Sequence, residues 1–252
     1  MADKKETITL ITGADKGIGF ATAQGLGKIG QHVLIGARDA KRGQAAVDKL
    51  QKQGYKASLI MIDVTDQELI KQAVAEIEQK FGYLSILINN AGVALDHHES
   101  AADLSTDTIR QDFDVNFFGM IDVTQAMIPL LKKDLPAKIV NLSSNMGSLT
   151  FASDPKSRFY KVSSLGYQAS KASVNFFTIN LSKELAKSGI TVNSVNPGWT
   201  ATGFGGRPMS MPKIPGMQDV EEGAAQVIKM ASLPRDDKTT GTFTENAGKL
   251  PW

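Results

Sequence analysis

The sequence predicts an α/β fold in which a doubly wound, mostly parallel sheet of seven strands carries helices on both faces. Short apolar segments rich in β-branched residues alternate along the chain with longer segments whose apolar residues recur at helical spacing. Some short segments are apolar without interruption, as at Ile86, Leu87 and Ile88, which is typical of parallel strands buried on both faces. Alternation of this kind favours right-handed crossovers and hence the doubly wound arrangement.

The predicted elements follow one another without a break that would indicate a second domain. The strands are residues 7–12, 32–37, 57–63, 84–89, 137–143, 190–196 and 241–244. The helices between them include residues 20–29, 41–53, 67–81 and a long segment at about 109–132. Because 252 residues suit one α/β domain and no repeat or linker is evident, we expect a single domain over residues 1–252.

Composition excludes several classes of function. Lys and Arg total 28 against 26 for Asp and Glu, so no charge excess attracts nucleic acid or an anionic membrane. Cysteine is absent and there are three histidines, so we expect neither a disulfide nor a metal site. The first residues lack the apolar stretch of a signal peptide, and no segment approaches the ~20 apolar residues of a membrane span. We therefore expect a cytoplasmic protein with no nucleic-acid or membrane partner.

A glycine-rich segment, residues 12–19, follows the first strand and opens the first helix. Glycines let the backbone turn tightly and approach a pyrophosphate, and the free N–H groups of the helix start attract its charge. The alternative is a strand-to-helix turn without a ligand, but the place after the first strand favours a dinucleotide. The predicted binding residues of this segment are Gly13, Lys16, Gly17, Ile18 and Gly19.

The end of the second strand indicates which dinucleotide binds. An acidic residue often holds the ribose 2′-hydroxyl of NAD at this place, whereas this chain has Arg38, with Lys16 in the glycine-rich segment. Two cations suit a 2′-phosphate, so we predict NADP(H) as the cofactor. Asp39 supports the alternative, since a shift of one residue would place a carboxylate at the ribose and favour NAD.

Two further strand ends are candidates for the same site. Asp63 closes the third strand, where its carboxylate could accept a hydrogen bond from the adenine amino group or cap a helix before Thr65. The segment 89–92 ends the fourth strand, where small residues allow close approach to a cofactor or form a plain turn. The candidates at these two ends are Asp63, Val64, Asn90, Ala91 and Gly92.

Tyr167 and Lys171 are spaced by one helical turn, so a phenol and an ammonium lie on the same helix face. A fixed positive charge favours the phenolate, so we expect Lys171 to lower the pKa of Tyr167 from its reference value of about 10. The phenol would then be a usable general acid near neutral pH. The alternative is an exposed helix pair without a chemical role.

These motifs together resemble those of the short-chain dehydrogenase/reductase family over essentially the whole chain. In order they are Thr12-Gly13-x-x-x-Gly17-Ile18-Gly19, Asn89-Asn90-Ala91-Gly92, Asn116, Ser144, Tyr167-x-x-x-Lys171 and Pro197-Gly198-x-x-x-Thr202. The segments 37–47 and 115–119 further resemble the NADPH-dependent carbonyl reductase branch. The resemblance implies a Rossmann-type fold and hydride transfer between NADPH and a carbonyl group.

The resemblance also implies a role for each site residue. Tyr167 would donate the proton, Ser144 would hydrogen-bond the substrate oxygen and Lys171 would hold the nicotinamide ribose. Ser143 is adjacent but would face the other side of the strand end. Asn116 would help to position a water that supplies protons. The nicotinamide carboxamide would be held by Pro197, Gly198 and Thr202.

Three irregular segments, at about 93–107, 145–166 and 203–218, are predicted to form the substrate walls, because each follows a candidate strand. Five apolar residues near the third segment either line a substrate pocket or pack without a ligand: Trp199, Phe204, Met209, Met211 and Met217. The second segment is longer than in many family members. In carbonyl reductases such a segment can cover the helix surface used for oligomerisation, so monomer and homo-oligomer both stay open.

We therefore expect NADPH-dependent reduction of an aldehyde or ketone. One alternative is NAD-dependent oxidation of a secondary alcohol. The alternative from another class is a non-catalytic regulator that binds NADP on the same fold, since fold does not fix function.

Overall fold

The structure is a computed structural model that describes residues 5–208 and 210–252. Residues 1–4 of the expected domain lie outside this range, and so does Met209, one of the five apolar residues named above. The strands are β1 (Ile8–Thr12), β2 (His32–Ala37), β3 (Ala57–Met61), β4 (Ile86–Asn89), β5 (Ala137–Leu142), β6 (Ile190–Val195), β7 (Phe243–Glu245) and β8 (Gly248–Lys249). The α-helices are α1 (Gly17–Lys28), α2 (Ala40–Lys52), α3 (Gln67–Phe81), α4 (Thr106–Phe113), α5 (Met120–Leu131), α6 (Leu149–Ser153), α7 (Leu165–Leu185) and α8 (Val220–Ser232).

The strands form a single sheet in the order β3-β2-β1-β4-β5-β6-β7-β8. Neighbouring strands from β3 to β7 pair in parallel, and β8 pairs antiparallel with β7. The predicted mostly parallel α/β sheet is confirmed, with one strand more than expected. The additional strand β8 is two residues long and polar, too short to show a strand pattern in the sequence.

Helices cover both faces of the sheet and give it two apolar cores. One core joins strand residues such as Leu10 and Leu87 to the apolar sides of α3, α5 and α7. The other joins residues such as Ile11 and Ile88 to α1, α2 and α8. Successive strand residues thus point to opposite layers, which explains why these strands are apolar without interruption.

The order of the strands locates a crevice. The chain runs from β1 through β2 to β3 on one side and returns to β4 on the other side of β1. Ligands bind in such sheets beyond the carboxyl ends of the strands, where this order reverses. The loops that follow β1, β4, β5 and β6 all leave from this end of the sheet.

The long helix expected at about 109–132 is interrupted in the structure. Its middle, Asp114–Gly119, is a π-helical turn between α4 and α5. π-Helical turns are frequent at functional sites, and this one contains Asn116. The helical spacing of apolar residues continues across the turn, so the sequence pattern does not show it.

Candidate active site

Tyr167 and Lys171 lie on α7 with the phenol toward the crevice. The Nζ atom of Lys171 is 5.8 Å from the centre of the Tyr167 ring. It donates a hydrogen bond of 2.8 Å to the carbonyl oxygen of Leu142, the last residue of β5. Lys171 is buried, whereas Tyr167 is partly exposed. The Tyr167 side chain therefore keeps part of its surface free, and the Lys171 ammonium is fixed by the strand end.

The surroundings hold the phenol in its protonated form. Burial raises the pKa of Tyr167 to about 12; the interaction with Ser144 opposes this, and the charges of Asp112 and Asp96 add to it. Burial also lowers the pKa of Lys171 to about 8. The prediction that Lys171 brings the pKa of Tyr167 below its ordinary value is wrong, because burial raises this pKa and Lys171 is not among the groups that shift it.

Ser143 and Ser144 follow β5 and have different partners. The hydroxyl of Ser143 donates to the backbone oxygen of Lys171 at 3.2 Å, which holds α7 against the strand end. The hydroxyl of Ser144 accepts the N–H of Met146 at 3.2 Å and interacts with the phenol of Tyr167, lowering its pKa. The structure thus brings Ser144, the serine selected by the family pattern, together with Tyr167.

Asn116 connects the loop after β4 to α7. Its Oδ1 accepts the N–H of Val93 at 2.8 Å, and its Nδ2 donates to the Val93 oxygen at 2.8 Å and to Ser170 Oγ at 3.0 Å. Ser170 in turn donates to the backbone oxygen of Tyr167 at 2.8 Å. Because both N–H bonds of the amide are used within the protein, its side chain positions the first turns of α7.

The glycine-rich loop leaves the first N–H groups of α1 without a side-chain cap. Asp39 and Asp66 cap α2 and α3, but Lys16 at the start of α1 makes no such hydrogen bond. Gly13 has a φ of 64°, and a Cβ there would lie 3.1 Å from the Cα of Ala91. The loop therefore needs glycine, and its free donors beside a positive helix end suit a phosphate group. The predicted residues at this turn are Gly13, Lys16, Gly17, Ile18 and Gly19.

The end of β4 is bonded to this loop. The N–H groups of Asn90 and Ala91 both donate to Thr12 Oγ1 at 3.0 Å. The side-chain amide of Asn90 donates to the backbone oxygens of Thr12 and Gly13, at 2.7 and 3.0 Å. These bonds fix the two strand ends on either side of the topological switch point.

Gly92 lies where the cofactor candidates meet the catalytic candidates. A Cβ at this position would stand 3.1 Å from Asn116 Oδ1 and 3.5 Å from Lys171 Nζ. Real Cβ contacts are rarely as short as the first of these distances. A side chain at Gly92 would therefore press on the Asn116 amide and touch the Lys171 amine.

The carboxyl end of β2 presents cations. Arg38 and Lys16 are both exposed at the rim of the crevice. Asp39 is engaged elsewhere, because its Oδ1 accepts the N–H of Arg42 at 2.9 Å, which lowers the pKa of Asp39. The guanidinium of Arg42 donates to Asp15 Oδ2 at 2.9 Å and so joins α2 to the glycine-rich loop. The sequence patterns considered above did not single out Arg42.

Asp63 holds a turn after β3. Its Oδ1 accepts from the N–H and the hydroxyl of Thr65, at 3.0 and 2.8 Å. Helix α3 is capped by Asp66. Of the two roles considered for Asp63, the helix cap is therefore not seen, because Asp63 holds a turn and does not start a helix. Val64 is buried, and its backbone oxygen would lie 2.6 Å from a Cβ at Gly119. The turn thus packs tightly on the π-helical segment.

The turn after β6 reaches the glycine-rich loop. Gly198 follows Pro197 with a φ of 77°, which turns the chain sharply. Thr202 is buried, its hydroxyl accepts the N–H of Phe204 at 3.2 Å, and its methyl would lie 3.6 Å from a Cβ at Gly17. Pro197, Gly198 and Thr202 therefore border the same crevice as the loop after β1.

The three segments predicted as substrate walls follow β4, β5 and β6. The second contains α6, and the third contains a short 3₁₀ turn at Phe204–Gly206. The ring of Phe204 packs against that of Tyr167 with centres 5.5 Å apart and an interplanar angle of 62°. Trp199, Phe204 and Met211 are all about half exposed. Phe204 thus brings an apolar side chain of the third segment directly onto the candidate acid.

The C-terminal residue is anchored on the second segment. The ring of Trp252 stacks on Phe243 with centres 5.6 Å apart. The Trp252 oxygen accepts hydrogen bonds from the N–H and the hydroxyl of Thr150, at 3.1 and 2.9 Å. The tail therefore fixes α6 to the end of the sheet.

Comparison with known proteins decides the family. Residues 7–211 match the family described as short chain dehydrogenase. The chain belongs to this family. This short-chain dehydrogenase is 34% identical to the short-chain dehydrogenase anuI of Penicillium roqueforti, over 99% of this chain and 95% of that one. It is 28% identical to carbonyl reductase [NADPH] 1 of Bos taurus, over 97% of this chain and 98% of that one.

The fold agrees with solved structures of the same kind. An NADPH-bound carbonyl reductase from chicken fatty liver superposes with a TM-score of 0.83 at 26% identity, over 99% of this chain and 100% of that one. The family predicted from the motifs is thereby confirmed. The short-chain dehydrogenase is an oxidoreductase that acts on CH–OH or C=O groups of small molecules and uses a nicotinamide cofactor. The uncapped start of α1 and the glycine cradle fit such a cofactor.

Two other kinds of site are not seen in residues 5–208 and 210–252. No helix in this part of the short-chain dehydrogenase is both long and apolar enough to cross a membrane. The same residues contain no group of three or more His, Cys, Asp or Glu side chains arranged to hold a metal ion.

Proposed function

We propose that this short-chain dehydrogenase reduces a ketone or aldehyde to an alcohol with NADPH, and that Tyr167 donates the proton. The observation that carries the proposal is the Tyr167–Lys171 pair, in which the ring centre of a partly exposed tyrosine lies 5.8 Å from a buried ammonium. Ser144 interacts with the same phenol and adds a second hydrogen-bond donor for the substrate oxygen. A protein that only bound the cofactor would not need this set of three.

The chemistry follows from the properties of these side chains. Bound NADPH would supply a hydride from its nicotinamide C4 to the carbonyl carbon. Tyr167 transfers its phenolic proton to the carbonyl oxygen, so that the C=O group becomes a CH–OH group. Ser144 hydrogen-bonds that oxygen while negative charge develops on it. Lys171 stabilises the phenolate by its charge until solvent returns the proton to Tyr167.

The cofactor site is proposed to extend along the carboxyl ends of six strands. The loop after β1 would hold the pyrophosphate through backbone N–H groups, and the turn after β3 would border the adenine. The turn after β6 would hold the nicotinamide, which fixes the ring face presented to the substrate. The residues assigned to the cofactor are Gly13, Lys16, Gly17, Ile18, Gly19, Arg38, Asp63, Val64, Asn90, Ala91, Gly92, Tyr167, Lys171, Pro197, Gly198 and Thr202.

NADPH is preferred over NADH in this proposal because of the charges at the end of β2. Arg38 and Lys16 are exposed and can both approach a 2′-phosphate. Asp39, the residue that would favour NAD, accepts a hydrogen bond from Arg42 N at the start of α2. The carbonyl reductases named above carry NADPH in their names, which supports the same choice.

The substrate is proposed to bind over the nicotinamide between residues 93–107, 145–166 and 203–218, within one domain that spans residues 1–252. Phe204 contacts Tyr167 and is half exposed, so an apolar group of the substrate can pack there. The second segment contains α6, which Trp252 holds through a hydrogen bond from Thr150. These contacts favour a substrate with an apolar part next to its carbonyl group.

The test is a reduction assay with a panel of ketones, aldehydes and quinones. The purified protein is mixed with NADPH or, separately, with NADH, and loss of absorbance of the reduced nicotinamide is followed. We expect turnover of at least one carbonyl compound and a higher kcat/KM with NADPH than with NADH. Turnover with NADH alone would favour an NAD-dependent enzyme, and binding of NADPH without turnover of any carbonyl or alcohol would favour a regulator.

A further inference from the structure

Asp112 is a buried carboxylate next to the active site that the proposed reaction does not use. It lies on α4 with an exposed fraction of 0%. Its Oδ1 accepts the N–H of Leu95 at 3.0 Å, but its Oδ2 is buried without a hydrogen-bond partner in the described chain. A Cβ at Gly166, the residue before Tyr167, would stand 2.6 Å from Oδ2. A buried oxygen without a partner is costly, so this residue needs an explanation.

Asp96 is the second buried carboxylate here, and its contacts are all with donors. Its two oxygens accept the hydroxyl of Ser164 at 2.8 Å, and Oδ2 accepts the N–H of Tyr167 at 3.1 Å. Asp96 thereby caps α7, whose own N-cap residue Ser164 makes no side-chain cap. Of the two neighbouring carboxyl groups, only Asp112 has an oxygen without a hydrogen-bond partner in the described residues.

Four ionisable groups face Asp112 from the elements packed against α4. Asp96 and His97 lie in the loop after β4, and Tyr167 and Lys171 lie on α7. Burial, and then the charge of Asp96, raise the pKa of Asp112 to about 6, while the Leu95 hydrogen bond, Lys171 and His97 oppose the shift. Asp112 thus changes its charge within the pH range in which enzymes are assayed.

The negative charge of Asp112 favours the protonated form of Lys171. Its ammonium bonds to the carbonyl oxygen of Leu142, and no carboxylate lies within ion-pair distance of it among the residues the structure describes. Burial disfavours its charged form, and the field of Asp112 is what opposes burial there. The same field favours the protonated phenol of Tyr167. Both effects maintain the protonated pair that a reduction requires.

We propose that Asp112 is a positioning residue whose ionised carboxylate serves as the counter-charge of Lys171 and keeps the Tyr167–Lys171 pair protonated. This inference rests on the proposed function only for its effect on turnover. The electrostatic part stands on the protein alone, because it concerns two buried side chains and the distance-dependent field between them.

The first experiment is an NMR titration of wild-type protein without cofactor, with the aspartate side-chain carboxyl carbons labelled by ¹³C. We expect one aspartate to titrate near pH 6, well above the reference value of about 3.9. The signal should be absent from Asp112→Asn. If the Asp112 signal titrates above about pH 8 instead, the carboxyl group is neutral at working pH and cannot act as a counter-charge, so the inference is wrong whatever the variant does.

The second experiment compares Asp112→Asn with Asp114→Asn, an exposed aspartate two residues along the chain that loses the same charge. In cofactor-free protein labelled at the lysine side chains, Lys171 should titrate about one pH unit lower in Asp112→Asn than in wild type. It should be unchanged in Asp114→Asn. An unchanged Lys171 titration in a folded Asp112→Asn would overturn the proposal.

The third readout is the pH profile of kcat/KM for carbonyl reduction. The fall of activity at high pH should begin about one unit lower in Asp112→Asn, and at the wild-type pH in Asp114→Asn. A loss of activity by the same factor at every pH indicates a structural role and contradicts the proposal. If the wild type reduces no carbonyl compound, the proposed function fails, while the two titrations still decide the electrostatic inference.

Discussion

The protein surroundings of Tyr167 make its proton harder to remove than that of a free phenol. Burial raises its pKa to about 12, and the charges of Asp112 and Asp96 act in the same direction. A phenol with this pKa gives up its proton only to a strong base, and the alkoxide formed by hydride transfer to a carbonyl group is such a base. At the scale of the residue, the proposed reaction therefore moves the proton only once the substrate oxygen becomes negative.

At the cofactor end, a single guanidinium is expected to distinguish the two nicotinamide dinucleotides. Arg38→Ala should weaken NADPH binding about 10- to 100-fold, because a hydrogen bond to a charged group contributes about 1.5–3 kcal/mol. NADH lacks the 2′-phosphate and should lose little affinity. Titration of each dinucleotide by protein fluorescence measures both values, and Arg110→Ala, an exposed arginine on α4, is the control. Equal losses for NADPH and NADH would contradict the assignment of Arg38.

At the scale of the element, α7 carries the candidate acid, and side chains from other segments hold the start of the helix. Asp96, from the loop after β4, accepts the N–H of Tyr167, and Asn116 bonds to Ser170 one turn further. Ser143 bonds to the backbone of Lys171. The position of the phenol thus depends on side chains from three different segments, and not on the helix alone.

This dependence predicts an effect of the Asp96 cap on the rate. Asp96→Ala should destabilise the protein by about 1–2 kcal/mol, the usual effect of removing a helix cap, and lower Tm by several degrees. It should also reduce kcat at least about 10-fold at a temperature well below Tm, because the first turn of α7 loses its anchor. Asp66→Ala removes the cap of α3 away from the site, so it should cost similar stability and leave kcat unchanged. A Tm loss without a rate loss in Asp96→Ala would show that the cap is only structural.

The sequence predicts regular elements well and tertiary contacts poorly. Strand 32–37 and helix 67–81 have the predicted bounds, since strong patterns and the Asp66 cap define them locally. The π-helical turn at Asp114–Gly119 is different, because it contains Asn116, which bonds to Val93 and Ser170, far away in the chain. A pattern of apolar residues cannot show such bonds.

The same distinction holds for the candidate site. The glycine-rich loop and the Tyr167–Lys171 spacing are local, so the sequence shows them. Asp112 carries no local signal, because an aspartate on an amphipathic helix is usually exposed. Its burial against α7, and hence its effect on Lys171, appears only once the two helices are packed.

At the scale of the whole molecule, the sheet brings together groups that are far apart in the chain. The strand order reverses at β1, so the loop after β1 adjoins the end of β4, and β5 and β6 follow beside it. Gly92 marks the contact of the two halves, with Asn116 and Lys171 both close to the position of its missing Cβ. One end of the sheet thus carries the candidate cofactor cradle and the candidate acid, which is the arrangement that hydride transfer requires.

The most direct test of this account is the turnover of Tyr167→Phe with NADPH and a carbonyl substrate of the wild type. The variant should bind NADPH with nearly wild-type affinity by fluorescence titration and lose about 10²- to 10⁴-fold in kcat, the contribution expected of a general acid. Tyr83→Phe, which removes a phenol bonded to Glu6 at the other end of the sheet, should keep wild-type kcat. Wild-type reduction rates in Tyr167→Phe would contradict the account.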